Sequence, residues 1–249
     1  FLTALIFSFE NMPQINYMNW KKKIIFLKKL VMKKLLLSII LVSSFSFSQE
    51  TDYEGFMNFS YNDDSGKIIL EIKNLDSEFM YINSLSRGVG NNDLGLDRGQ
   101  LGNSRVVYFT KRGNKILLIQ PNLRYVSNSS NYLENKAVEE AFARSVLFGF
   151  DIIEKSNDSY KIDITSFLIS DAHGVSQRLK YSNSGSYTLN KSMSAIDLDR
   201  TKAFPKNIEF DVLLTFTGNP SGNLVGSVTP TASNLTVNQH HSFVELPDN

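Results

Sequence analysis

The run Arg105-Val-Val-Tyr-Phe-Thr110, Lys111-Arg-Gly-Asn114, Lys115-Ile-Leu-Leu-Ile-Gln120 restricts the possible folds more than any other stretch. Two segments of β-branched, aromatic and aliphatic residues flank a polar link. In that link Gly113 can take the positive φ of a tight reversal, which is the pattern of a β-hairpin. Pro121 closes the second segment. Comparable strand patterns cover Lys67–Lys73, entered through Asp63-Asp64-Ser65-Gly66, then Phe79–Leu85, and a pair Phe150–Glu154 and Tyr160–Ile164 around Ser156-Asn157-Asp158. Ile208–Thr217 is the longest, with Leu224–Val228 and Leu235–Val244 expected to follow it in antiparallel order. Strands joined by short polar links favour antiparallel pairing, because parallel crossovers need a dozen or more residues.

One longer helical pattern interrupts the strands. Leu133, Ala137, Val138, Ala141, Phe142, Ser145 and Val146 form an apolar stripe over Tyr132–Phe148. Glu134 suits the positive end of the helix dipole and Gly149 the stop. A second, shorter helix is expected after Asp171, with Val175 and Leu179 on one face and Asp171 as its N-cap. The predicted class is α+β: a predominantly antiparallel sheet with one main amphipathic helix, about 132–148, packed on it.

Composition removes several chemistries. The 249 residues include no cysteine, so disulfides, thiolate-bound zinc and a cysteine nucleophile are excluded. The only histidines are His173, His240 and His241. The net charge of +1 conceals an asymmetry: residues 1–48 hold seven lysines and one acid, leaving 19 basic and 24 acidic residues for the rest. An acidic body has no clustered basic face for nucleic acid, and none is expected as a partner.

Met32-Lys33-Lys34 followed by the apolar run Leu35–Phe47 has the form of a secretory signal peptide, 32–48. Ser46 and Ser48 suit cleavage before Gln49, and residues 1–31 read as upstream translation outside the fold. The expected organisation is therefore a single β-rich domain over 49–249. It would be exported to the periplasm or beyond, with no membrane span after cleavage.

Three segments invite chemical readings. Arg87–Gly102 carries five glycines in 16 residues. Asp93 stands where a dinucleotide fingerprint needs its third glycine, and no helix pattern follows. Asn91, Asp93 and Asp97 around Gly95 offer oxygen ligands for calcium, but no glutamate stands at EF-hand spacing. The favoured reading is a structured surface loop in which Arg87 and Arg98 pair with Asp93 and Asp97. His240 and His241, adjacent on a strand, point to opposite faces and cannot readily chelate one ion. Asp171 and His173 could form an acid/base pair, although neither a Gly-x-Ser-x-Gly elbow nor a His-Glu-x-x-His helix is present. No catalytic or cofactor-binding residue is assigned; Asp93, Asp97, His173, His240 and His241 are weak metal candidates.

Seven segments occur in an order that resembles one family: Glu71–Asp76, Gly90–Gly102, Gln120–Asn122, Ala141–Phe150, Asp171–Val175, Ser227–Pro230 and Gln239–Asp248. They are similar to the N-terminal region, a domain of unknown function, of large secreted zinc-dependent, metzincin-like metalloproteases common in Bacteroidota. The resemblance covers about residues 68–248. It implies a non-catalytic domain that supports or shapes the cleft of a downstream peptidase domain acting on protein or peptide substrate. Zinc is then expected in the full-length protein and no cofactor in this segment. The alternative is an independent secreted binding module for glycan, peptide or cell envelope, using the Gly-rich loop with Tyr53, Phe56 and Tyr61.

Overall fold

The computed structural model describes residues 50–247 and scattered helical positions between 22 and 32. The expected signal peptide lies outside the described residues, apart from Met32. The chain divides into two units, Phe1–Ser48 and Gln49–Asn249. In the first, the described positions are helical and exposed. Among the described residues no helix is long and apolar enough to cross a membrane.

The second unit is built on one sheet of twelve strands. In chain order these are β1 (Glu50–Tyr53), β2 (Phe59–Asn62), β3 (Lys67–Ile72), β4 (Glu78–Arg87), β5 (Leu101–Arg112), β6 (Lys115–Gln120), β7 (Ser145–Lys155), β8 (Tyr160–Asp163), β9 (Gly185–Leu189), β10 (Ala195–Phe204), β11 (Asn207–Pro220) and β12 (Asn234–Glu245). Three short helices intervene: α1 (Tyr132–Ala141), α2 (Thr165–Leu168) and α3 (Val175–Tyr181). The strand order is β1-β2-β3-β8-β7-β6-β5-β4-β12-β11-β10, and β9 pairs with the far end of β11. Every described pairing is antiparallel. The Arg105–Gln120 hairpin forms as its pattern predicts, with Gly113 at φ 59°.

The sheet curls until its ends meet. The Phe59 ring of β2 lies 4.8 Å from Phe210 of β11, and the Phe56 amide donates to the Phe204 carbonyl of β10 at 2.8 Å. Closing the ends in this way covers otherwise unpaired backbone at sheet edges. Inside sits an aromatic core centred on Phe243, whose ring centroid lies 5.2 Å from Phe79, 5.6 Å from Tyr81, 5.9 Å from Phe210 and 6.2 Å from Phe167. Edge-on and tilted ring pairs at such separations add to the burial term. Helix α2 inserts Phe167 and Leu168 into this core, and α3 buries Val175 and Leu179.

Three expectations need correction. The main amphipathic helix does not exist: α1 stops at Ala141 and buries no side chain. Ser145, Val146 and Phe148 instead join β7 and pair with Gln120, Ile119 and Leu118 of β6. The open edge of β6 offers ladder hydrogen bonds to a segment rich in aromatic and β-branched residues, and this outweighs the helical spacing. Leu224–Val228 is not a strand either. It is a coiled turn, with Ser227 N donating to Asn223 O and Thr229 N to Val225 O, that buries Val225. Gly174, not Asp171, holds the N-cap position of α3, but the Asp171 carboxylate reaches the helix start from three residues upstream and accepts the Val175 and Ser176 amides at 2.7 and 2.9 Å.

Candidate functional site

Strand alternation sorts the centre of the sheet into two faces. On β12, Val237, Gln239, His241 and Phe243 turn inward while His240 and Ser242 turn outward, and register carries that division across neighbouring strands. Ser84 of β4, His240 of β12, Asp211 of β11 and Asp197 of β10 are successive cross-strand partners, so they form one polar row on the outer face.

His240 is the hub of that row. Its Nδ1 lies 3.1 Å from Asp211 Oδ2 and its Nε2 2.7 Å from Glu209 Oε2. Glu209 also accepts from the Ser242 hydroxyl and, at 2.6 Å, from Asn207 Nδ2. Asn238 Nδ2 bridges Asp211 Oδ1 at 2.8 Å and Asp197 Oδ2 at 3.0 Å. Burial alone would lower the His240 pKa, but the hydrogen bonds and charges of Asp211 and Glu209 outweigh it and push it up to about 9. Burial would likewise raise both acids, yet the hydrogen bonds led by His240 hold them below the ordinary carboxylate range. The triad is thus a partly buried imidazolium between two carboxylates. Direct contact leaves no gap for an ion among them.

His241 faces the other way. Its Nδ1 lies 2.9 Å from the Tyr81 hydroxyl, and its Nε2 lies 3.1 Å from the Leu168 carbonyl and 2.8 Å from Gln239 Nε2. Burial pushes His241 down to about 4 and Tyr81 up to about 12, so both stay neutral at pH 7. Gln239 continues the network, donating to Ser170 O and accepting from the His173 amide. This arrangement ties α2 and the Asp171–Gly174 turn to the sheet.

No hydrogen bond joins His173 to Asp171 among the described residues. The Asp171 oxygens are occupied by α3, while burial lowers the His173 pKa against the opposing charge of Asp171. His173 Nδ1 and Asn83 Oδ1 are buried without partners, and both border Gly102. A Cβ at residue 102 would fall 1.6 Å from Asn83 Oδ1 and 3.1 Å from His173 Nδ1, so only glycine fits.

The Gly-rich loop is organised by its leucines. Leu94 and Leu96 are fully buried, Arg178 Nε donates to Leu94 O at 2.6 Å, and Asn91 Nδ2 donates to Leu224 O at 3.2 Å. The expected ion pairs are absent: neither Arg87 nor Arg98 comes within 4 Å of an acid among the described residues. Burying two leucines while keeping the charges hydrated is the lower-energy solution, since exposed ion pairs contribute little. Asp93 is exposed in a 3-10 turn and Asp97 half-buried. Among the described residues no three acid or histidine side chains are grouped to hold a metal. Tyr53, Phe56 and Tyr61 are half-buried and pack against the core.

Sequence reasoning missed Glu209, Asp211 and Asn238. A signal was present: Ile208-Glu-Phe-Asp-Val212 places two acids on one side of an otherwise apolar strand, where a cationic partner is needed.

A family model described as a domain of unknown function, DUF5117, matches residues 99–249. The chain belongs to the DUF5117 family. No curated protein and no solved structure matches it. The DUF5117 segment holds all three histidines and β5–β12 but begins at the end of the Gly-rich loop. Strand β4, which precedes the segment, lies between two of its strands, β5 and β12.

Proposed function

We propose that this chain is a non-catalytic, protein-binding domain of an exported zinc metallopeptidase, there to support or shape the cleft of a peptidase domain elsewhere in the same polypeptide. The metzincin-like zinc enzyme and the Bacteroidota affiliation rest on the family resemblance. One observation carries the binding role. The segment between β6 and β7 holds Leu123, Val126, Tyr132 and Leu133 at 55% to 72% exposure, and α1 buries nothing. Large apolar side chains left this exposed within one segment suit contact with another protein.

His240 and His241 are committed to internal hydrogen bonds, which supports a structural role for both. In the parent enzyme, zinc supplied by the peptidase domain would activate water for amide hydrolysis. The test is to purify the full-length gene product and the 49–249 domain, then measure zinc content and peptide hydrolysis in each. Zinc and turnover are expected only in the former. Stoichiometric zinc with turnover in the isolated domain would refute the proposal. Leu133→Glu and Val126→Glu in the full-length protein should weaken docking, read as faster proteolytic separation of the two parts, while leaving the domain folded.

A further inference from the structure

The outer-face row opens into a groove of about 460 Å³ lined by Ser84, Ser86, Arg98, Arg200, Asp211 and His240. Arg98 is brought there by the Gly-rich loop. Gly99, at φ +84°, returns that loop to β4 by donating to Leu85 O at 2.7 Å. Arg200 is brought there by the irregularity in β10 between Asp197 and Lys202, fixed by the Thr201 hydroxyl donating to Asp197 O at 2.8 Å. Two unrelated backbone departures thus aim a guanidinium at one place.

Both guanidiniums are exposed, and neither makes an ion pair among the described residues. Their chain neighbours Asp97 and Asp199 are no closer than the 4 Å ion-pair limit. The acid in the floor is already satisfied: Asp211 is fully buried and accepts from His240 and Asn238. His240 in turn has both ring nitrogens engaged. The donors facing the groove without acceptors are the two guanidinium forks and the Ser84 hydroxyl. A groove whose unpaired donors are two guanidiniums and a hydroxyl suits an acceptor-rich, negatively charged group, and arginine forks match the paired oxygens of carboxylate and phosphate.

From this we infer that the groove between the Gly-rich loop and the β10 irregularity is an oxyanion-binding site, with Arg98 and Arg200 as its clamps and Ser84 as a floor donor. It takes a carboxylate- or phosphate-bearing ligand and is independent of the peptidase reading. Beneath it, His240 offsets one of the two carboxylates, Asp211 and Glu209, that it contacts.

Calorimetric titrations of the 49–249 domain with inorganic phosphate and with citrate, at constant ionic strength, test the site and separate phosphate from carboxylate preference. Binding of one of them at about 1 mM or tighter is expected, weakened at least about tenfold by Arg98→Gln and by Arg200→Gln. Arg112→Gln, on the β5–β6 hairpin, should leave it unchanged. Because neither clamp holds other parts of the protein, both variants should melt with the wild type, and Lys replacements should recover only part of the affinity. No saturable binding of either anion, or binding that Arg112→Gln weakens as much as the clamp variants do, would overturn the assignment.

Discussion

The imidazolium of His240, held between Asp211 and Glu209, makes the pH dependence of stability calculable. Free histidine titrates near 6.5 and His240 at about 9 in the folded chain. The folded state therefore holds a proton that the unfolded chain has already released between those values. The sign follows: the contribution is fully present below pH 6.5 and is lost as pH rises through about 9. At about 1.4 kcal/mol per pH unit, the whole window amounts to about 3 kcal/mol. Urea unfolding followed by far-UV circular dichroism, every half unit from pH 6 to 10, would record it. His240→Gln keeps a hydrogen-bonding side chain but removes the charge. It leaves Asp211 and Glu209 facing each other, and it should cost about 3–5 kcal/mol at pH 6.5. The difference between wild type and variant should shrink steadily toward pH 9.5. A difference that stays constant across that range would show that His240 is not charged in the folded protein.

Four further outcomes follow from the geometry. Gly102→Ala drives a methyl group into the buried Asn83 amide and should destabilise the domain by about 2–3 kcal/mol in the same urea assay. Asp171→Ala removes the acceptor at the start of α3 and should cost about 1 kcal/mol. Phe243→Ala removes the ring at the centre of the aromatic core and should cost about 3–5 kcal/mol by thermal or urea unfolding. A chain containing only residues 99–249 lacks β4 and with it Phe79, Tyr81 and Leu85, so amide exchange should show no protected core.

Much of the sheet was readable from alternation. The β5–β6 hairpin, β11 and β12 occur where their patterns place them, because a strand with one buried face writes its register into every second residue. The helix failed where two periodicities overlap. Val146-Leu-Phe-Gly-Phe150 continues a helical stripe but also suits a strand, and only the position of β6 decides between them. Strand β10 was missed because Asp197 and Asp199 interrupt its apolar residues, and the partners of Asp197 lie on β11 and β12. The site was half legible: His240 and His241 were placed on opposite faces, whereas the carboxylates that fix the charge of His240 lie about 30 residues away. No local spacing reports such a partner. The loop charges were misread because sequence shows which signs are adjacent but not that Leu94 and Leu96 are buried.

Among the described residues β12 is the last strand in the chain, yet it lies inside the sheet, between β4 and β11. Every earlier strand can be synthesised and still leave β4 without one neighbour, so the closed structure must wait until residue 245 has left the ribosome. Such late, long-range closure slows folding and keeps the emerging polypeptide loose.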